Sequence, residues 1–185
     1  MEIRMATVAD AEEMLEIYTP YVTDTAITFE YDTPTIEDFR GRVERTLQRY
    51  PWLVATEKGK ILGYAYAGAF HPRAAYQHSA ELSVYLRMDE RGKGLGRKMY
   101  DALTEILLKQ NVYLLHACIA VADPEDEYLT NDSEKFHLAL GFAHSARHDR
   151  IGYKFGRWYG MIWMDKEIHP RDADPKAFVA LPDIE

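Results

Sequence analysis

The chain has 185 residues, of which 47% are hydrophobic, and its formal net charge is −8. This length predicts one domain with one core, and the acidic balance argues against nucleic acid or an anionic membrane as a partner. The N-terminus lacks the basic-then-apolar order of a signal peptide, and no segment approaches the roughly 20 apolar residues of a membrane span, so we expect a cytoplasmic protein. Cys118 is the single cysteine, which excludes an intrachain disulfide, and the apolar run YLLHACIAV around it predicts a buried thiol on a strand.

The first half of the chain predicts a strand, two helices and a hairpin. EIRMA alternates as a short strand does, and Thr7 with Asp10 has the form of a capping box that begins a helix. A second helix is expected from Thr35 to about Arg49, where Pro51 stops it. The segment WLVATEKGKILGYAYAGAF predicts two strands joined by a turn at Glu57 to Lys60.

Strands and helices alternate in the second half. A strand over AELSVYLRM leads into a glycine-rich loop and a helix from Gly96 to Lys109. A strand, an acidic connection, a helix and two closing strands follow, over VYLLHACIAV, Asp123 to Tyr128, SEKFHLALG, 142–151 and 157–165. We expect the acidic connection to be a solvated loop. The pattern predicts an α/β fold with a mixed sheet covered by helices, in one domain over 1–168, and an irregular tail over 169–185.

The loop ERGKGLGRKMY combines three glycines with several cations at a strand-to-helix junction. Residues without side chains let backbone N–H groups approach an anion, and the N-terminus of the following helix adds positive potential. Arginine and lysine nearby can grip phosphate oxygens. These glycines and cations are Gly92, Gly94, Gly96, Arg91, Lys93, Arg97 and Lys98. The loop therefore predicts a phosphate site.

Several kinds of phosphate site combine glycines and cations at a helix N-terminus. A nucleotide P-loop requires a glycine-lysine-hydroxyl run, which this loop lacks, and a dinucleotide fingerprint requires its third glycine one residue after Gly96. The pattern Arg91-x-x-Gly94-x-Gly96 resembles the acyl-coenzyme A pyrophosphate loop of the GNAT N-acetyltransferase superfamily. A glycine-rich turn with solvated charges is the alternative.

Four segments extend this resemblance, in the order FHPRAAYQHSAELSVYL, ERGKGLGRKMY, SEKFHLALGF and GYKFGRWYGMIWM. From Ile3 to about Lys166 the chain resembles the phosphinothricin and methionine sulfoximine branch of GNAT. The resemblance implies a GNAT fold, which is a splayed mixed β-sheet with helices on both faces. It also implies acetyl-CoA as the acetyl donor, direct transfer to the primary amine of a small amino acid or analogue, and a homodimer.

Two residues are the candidate catalytic groups. An amine arrives mainly as ammonium and must lose a proton before it attacks, so the reaction needs a general base. Glu81 stands in the Ala-Glu-x-x-Val-Tyr setting of the family's catalytic glutamate, and the alternative is an edge-strand glutamate that faces water. His137 matches the family's His-x-x-Leu-Gly-Phe helix, whose histidine lines the acceptor pocket. Its alternative is a histidine on a helix surface.

The resemblance also implies binding residues for both substrates. Backbone N–H groups near Val84 and Leu86 could stabilise the oxyanion. Asn131 and Ser133 resemble the residues on the pantetheine side, although their spacing is one residue shorter than in the family. The implied acetyl-CoA set is Val84, Tyr85, Leu86, Arg91, Gly92, Lys93, Gly94, Leu95, Gly96, Arg97, Asn131 and Ser133. The implied acceptor set is Phe29, His71, Arg73, Tyr76, Tyr85 and His137.

The acceptor segment departs from its relatives. His71 stands where they commonly carry a lysine or arginine, and Gln77-His78 replaces a common Asp-Trp. The pocket thus has less fixed positive charge, which leaves open whether phosphinothricin is a substrate. A protein N-terminal or lysine acetyltransferase and a non-catalytic acyl-CoA-binding module remain alternatives. We expect no metal, because His144 and His148 fall on a strand and its turn and His116 lies in a buried strand.

Overall fold

The structure is a computed structural model that describes residues 1–171 and 174–184. The chain forms two compact units. The first unit contains Met1–Ile17, Thr35–Leu115 and the described residues after position 166. The second contains Tyr18–Pro34 and His116–Lys166. Positions 172, 173 and 185 of the predicted tail lie outside the described residues.

The predicted elements appear in the predicted order. The strands are β1 (Glu2–Met5), β2 (Trp52–Glu57), β3 (Lys60–Ala69), β4 (Ser79–Leu86), β5 (Leu114–Val121), β6 (Ala143–Lys154) and β7 (Arg157–Glu167). The helices are α1 (Ala11–Thr23), α2 (Ile36–Leu47), α3 (Leu95–Lys109) and α4 (Asp132–Ala139). The capping box at Thr7 and Asp10 is confirmed, although it opens a 3-10 turn that precedes α1. Helix α3 begins one residue earlier than predicted, at Leu95.

The first unit is built on four antiparallel strands in the order β1-β2-β3-β4. Aromatic side chains fill the surface of this sheet: the Trp52 ring stacks on Tyr66 with centroids 4.1 Å apart, and Tyr64 is fully buried beside it. Helix α3 packs on β2, β3 and β4. Its apolar residues Met99 and Leu103 are completely buried, as their helical spacing predicts.

The second unit contains β6 and nearly all of β5 and β7, in the order β5-β7-β6. Strand β6 pairs with β7 in antiparallel register from Ala143↔Asp165 to Lys154↔Arg157. A register shift between His148 and Gly152 interrupts this ladder. A small core of this unit is formed by Ala26, Ala120, Ala122, Leu129 and Tyr159. Phe29 and Tyr128 pack against it.

The prediction of a buried Cys118 is wrong, because the thiol is exposed. Its neighbours Ala117 and Ile119 are buried, so an uninterrupted apolar run does not imply that every side chain of the strand is covered. Hydrophobic runs predict a strand that is buried as a whole and do not resolve single positions.

The described part of the tail has no helix or strand beyond a 3-10 turn at Leu181–Asp183, yet it is attached to the first unit. Gln110, which is fully buried, donates from Nε2 to the carbonyls of Arg49 (2.7 Å) and Val179 (2.9 Å). The Phe178 ring lies 5.3 Å from Tyr50 between centroids.

No helix within the described residues is long and apolar enough to cross a membrane.

Candidate active site

The glycine-rich loop has the conformation that an anion site requires. After a 3-10 turn at Met88–Glu90, Gly92 and Gly94 adopt positive φ angles of 74° and 81°, and a Cβ built at either would meet no atom within 4 Å. Gly94 is the N-cap of α3. The backbone at the helix N-terminus is therefore bare, and its N–H groups carry the positive end of the helix dipole.

Cations surround this helix N-terminus. Arg91, Lys93, Arg97 and Lys98 are exposed, and Leu95 and Gly96 are buried beneath them. The Lys93 ammonium lies 3.2 Å from the Glu90 carboxylate, an exposed pair that contributes little stability and leaves the cation able to turn toward a ligand. The predicted acetyl-CoA residues of this loop thus form one cluster, and the loop follows β4 directly.

Glu81 lies on β4, the strand that leads into this loop, opposite Gly68 of β3. Its side chain is half-buried, and burial raises the pKa of its carboxyl group. A carboxylate with a raised pKa is a better proton acceptor than an ordinary glutamate. Tyr85 follows on the same strand, with its ring centroid 5.4 Å from that of Tyr64.

Tyr100 of α3 is a neighbour of Glu81 that no motif in the sequence indicates. It is buried, and burial above all, followed by the nearby Tyr66 and Glu81, raises the pKa of its phenol. The hydroxyl therefore stays protonated. Its position on the buried face of α3 predicts a core residue, and nothing in the sequence distinguishes it from the apolar residues of that face.

Three of the predicted acceptor residues of the first unit, His71, Arg73 and Tyr76, share one exposed segment immediately before β4, and the fourth, Tyr85, lies on β4 itself. Arg73 is the N-cap of a 3-10 turn at Ala74–Tyr76, and the His71 and Tyr76 rings lie 5.0 Å apart between centroids. His78 instead bonds through Nδ1 to the Asn111 carbonyl (2.7 Å) and stacks on Tyr113. The departure at His78 thus has a role in local packing.

His137 of α4 is buried in the second unit, so the alternative of a histidine on a helix surface is wrong. Its Nδ1–H donates to the Ser133 carbonyl (2.7 Å), and its ring meets Phe142 edge-on at 5.1 Å. Burial lowers the pKa of His137, opposed by the bond to Ser133. The ring is therefore neutral at pH 7, with its proton on Nδ1.

Asn131 and Ser133 lie at the N-terminus of α4, with Asn131 as the N-cap. The Asn131 side chain bonds in both directions to Ala122: its Nδ2 donates to the carbonyl (3.0 Å), and its Oδ1 accepts from the N–H (3.1 Å). These bonds close the end of β5 onto α4. Binding of pantetheine by Asn131 remains a prediction that must accommodate this pair.

The acidic connection is more ordered than the solvated loop that its charges predict. Asp126 accepts hydrogen bonds from Arg157 (2.7 Å), from the Tyr159 hydroxyl (2.9 Å) and from the N–H groups of Tyr128 and Leu129. The expectation is wrong at Asp126, and the exposed Glu125 is also bonded, since it accepts from the Asn131 N–H (2.9 Å). Asp123 and Glu127 are exposed, as expected. The partners of Asp126 on β7, Arg157 and Tyr159, are distant in sequence, so local composition does not predict them.

We expect Asp126→Asn to lower the melting temperature at pH 7. Burial by itself would raise the pKa of Asp126, but bonds from Tyr159, Tyr128, Leu129 and Arg157 outweigh it and lower the pKa. A lowered folded-state pKa stabilises the fold above the unfolded-state pKa, and this stability is lost as pH falls through the folded-state value. The difference between the wild type and the variant should therefore shrink below about pH 4 in thermal melts. A constant difference from pH 7 to 3 would contradict the assignment.

No group of three or more histidine, cysteine, aspartate or glutamate side chains within the described ranges is placed to hold a metal ion. His116 bonds through Nδ1 to Asp165 (2.8 Å), and His144 bonds through Nε2 to Glu134 (2.7 Å).

Comparison with known proteins identifies the class to which this fold and loop belong. The Acetyltransferase (GNAT) domain family matches residues 3–163. The chain is therefore a member of the GNAT acetyltransferase family and an acetyl-CoA-dependent N-acetyltransferase. It is 34% identical to the L-amino acid N-acyltransferase MnaT of Escherichia coli (92% of this chain, 96% of the relative). It is 35% identical to the L-methionine sulfoximine/L-methionine sulfone acetyltransferase of Pseudomonas paraeruginosa (94% and 98%).

A solved structure supports the same conclusion. The phosphinothricin acetyltransferase of Sinorhizobium meliloti, crystallised with acetyl-CoA, superposes with a TM-score of 0.86 at 29% identity over 98% of this chain and 96% of that one. The predicted GNAT fold is confirmed.

Proposed function

We propose that the enzyme transfers the acetyl group of acetyl-CoA to the primary amine of a small amino acid or close analogue, with Glu81 as the general base. The observation that carries this proposal is the half-buried Glu81 carboxyl with its raised pKa, placed on the strand that leads into the anion-binding loop. A non-catalytic acyl-CoA-binding module would need the loop and no base. The named activities of the amino acid and methionine sulfone relatives support the acceptor class.

The proposed reaction assigns each step to a residue. N–H groups at Gly94 and the start of α3, together with Arg91 and Arg97, hold the pyrophosphate. Glu81 removes a proton from the acceptor ammonium, directly or through a water molecule. The amine lone pair then forms a bond to the thioester carbonyl carbon, and N–H groups near Val84 and Leu86 stabilise the oxyanion. The C–S bond breaks, and the nitrogen passes its second proton to the leaving thiolate, so that coenzyme A departs as the thiol while Glu81 returns the first proton to solvent.

The acceptor is recognised, in this proposal, by the exposed segment before β4. Arg73 pairs with the α-carboxylate, and His71 and Tyr76 border the side chain. Phe29, in the second unit, is an acceptor residue that the family resemblance implies. His137, a neutral ring of the second unit, is the further acceptor residue that the family resemblance implies. Methionine sulfone and methionine sulfoximine fit a pocket that has no second fixed cation better than the doubly anionic phosphinothricin does, because His71 replaces a permanent charge.

We expect Arg73→Ala to lower kcat/KM for methionine sulfone about tenfold or more, because the carboxylate loses a charge-assisted partner. The kcat/KM for the amine that corresponds to methionine sulfone without its carboxylate should fall far less. Arg40→Ala, which removes an exposed arginine of α2, is the matched control and should affect neither substrate. Steady-state kinetics on both substrates provide the measurement. Equal effects of Arg73→Ala on both substrates would remove the carboxylate contact and, with it, the main support for an amino acid acceptor.

We also propose that the enzyme is a homodimer. Tyr153 and Trp158, each 47% exposed, place large aromatic side chains on the outer part of the β6–β7 hairpin, where a second copy could cover them. Equilibrium sedimentation distinguishes a dimer from a monomer.

A further inference from the structure

Lys154, at the end of β6, is a buried lysine that the proposed reaction does not use. Only 3% of its surface is exposed. Its ammonium donates to the carbonyls of Val22 (2.7 Å) and Thr28 (2.9 Å). Burial lowers the pKa of this group, opposed by the charge of Glu30. Burying a charged group is unfavourable unless it is hydrogen-bonded, and Lys154 meets this condition through the two carbonyls. Its ammonium thereby links the end of α1, at Val22, to Thr28, the residue before Phe29.

Gly152 lies two residues earlier on the same strand and directly beneath Phe29. A Cβ at position 152 would lie 2.3 to 2.6 Å from three atoms of the Phe29 ring, which no real contact allows. Gly152 has an ordinary φ, so the strand does not need glycine for its backbone. The missing side chain is needed because the ring rests on the strand.

The segment that carries Phe29, residues 24–31, makes further hydrogen bonds both before and after Phe29 in the sequence. The Ala26 N–H donates to the Tyr128 carbonyl (3.0 Å), and the Tyr31 hydroxyl donates to the Tyr153 carbonyl. Tyr18 bonds through its hydroxyl to Thr28 Oγ1 (3.0 Å). Strand β6 therefore contacts this segment at Gly152, Tyr153 and Lys154, and we call residues 24–31 the Phe29 segment.

We propose that Gly152 and Lys154 are positioning residues that hold the Phe29 segment against β6 and so set which acceptor side chains the enzyme accepts. The selectivity part rests on the proposed function, in which Phe29 is an acceptor-binding residue. The positioning part rests on the contacts alone. Lys154 fixes the backbone next to Phe29, and Gly152 fixes how closely the ring approaches the strand.

Gly152→Ala tests the selectivity part. The added methyl group forces the Phe29 ring away from β6 and into the space that the ring borders. The kcat/KM for methionine sulfone, which has a long side chain, should therefore fall more than the kcat/KM for alanine as acceptor. We expect the ratio of their kcat/KM values to change about tenfold, a quantity that does not depend on the fraction of active enzyme. The KM for acetyl-CoA should stay within about twofold of the wild-type value. Gly41→Ala, in α2, is the glycine control, because only the flexible end of Arg45 approaches its Cβ position.

A double variant makes this test specific to the contact. In a Phe29→Ala background no ring remains to be displaced, so adding Gly152→Ala should leave the selectivity ratio unchanged. If Gly152→Ala does not fold alone, the double variant should fold, because the clash is gone. An unchanged ratio in the single variant, equal losses for both acceptors, or the same shift with and without Phe29 would each overturn the selectivity role.

Lys154→Met tests the positioning part without any substrate. It keeps an unbranched side chain that is one heavy atom shorter and removes the donors to Val22 and Thr28, so amide hydrogen exchange in the Phe29 segment should become at least about tenfold faster. Lys109→Met, at the exposed end of α3, is the matched control. Unchanged exchange in this segment would overturn the positioning role. A wild-type enzyme that acetylates no amino acid would refute the proposed function instead, and the exchange result would still decide whether Lys154 holds the segment.

Discussion

Replacement of Glu81 by glutamine is expected to lower the turnover number for amine acetylation about 100-fold or more, because the amide keeps the size of the carboxylate and cannot accept the proton. Affinity for acetyl-CoA should survive, since the glycine-rich loop is unchanged. Steady-state kinetics with calorimetric titration of acetyl-CoA separate the two quantities. Glu105→Gln, an exposed position on α3, is the matched control and should leave both unchanged.

The pH dependence gives a second signature of the same residue. Burial raises the pKa of Glu81, and only the ionised form acts as a base, so wild-type kcat/KM should fall on the acid side at a higher pH than for an ordinary glutamate. The Glu81→Gln variant should lack this acid limb. Unchanged turnover of the variant at neutral pH, with chemistry limiting, would refute the role of Glu81 as base.

The Gly94→Asp variant is expected to lose acetyl-CoA binding. Gly94 has a φ of 81°, which strains any L side chain, and the new carboxylate would stand at the helix N-terminus where the pyrophosphate is to bind. In the wild type, acetyl-CoA at 100 times its Kd should stabilise the fold by about 2.7 kcal/mol, which is a shift of several degrees in the melting temperature. The variant should show no shift.

The first unit offers a matched control for this substitution. Gly59, in the turn between β2 and β3, has a φ of 79° and equally open surroundings. Gly59→Asp therefore imposes similar backbone strain without placing charge at α3, and it should retain the acetyl-CoA shift. A wild-type protein whose melt does not move at millimolar acetyl-CoA, or a Gly94→Asp variant that binds normally, would contradict the loop assignment.

The elements of this fold could be predicted because their signals are local. The spacing of Met99, Leu103 and Leu107 predicts helix α3, and glycines between a strand and a helix predict the phosphate site. The structure adds the positive φ angles and the open surroundings of Gly92 and Gly94. Those two properties explain why glycine stands at these positions.

The features that escaped prediction depend on contacts between distant parts of the chain. Asp126 is ordered by Arg157 and Tyr159, about 30 residues further along, and Lys154 acts on carbonyls more than 120 residues earlier. Composition assigns Asp126 to a solvated loop, and Lys154 falls between the two predicted closing strands, 142–151 and 157–165. Only tertiary structure shows that both are held by specific partners.

The most direct test of the account is the identity of the acetylated product. The wild-type enzyme would be incubated with acetyl-CoA and an equimolar mixture of amino acids, methionine sulfone, methionine sulfoximine, polyamines and short peptides, and the products would be identified by mass spectrometry. We predict an N-acetylated amino acid or methionine analogue as the dominant product, formed in step with coenzyme A release and nearly absent with Glu81→Gln. Acetylation confined to peptides or polyamines, or product formation at the wild-type rate by Glu81→Gln, would contradict it.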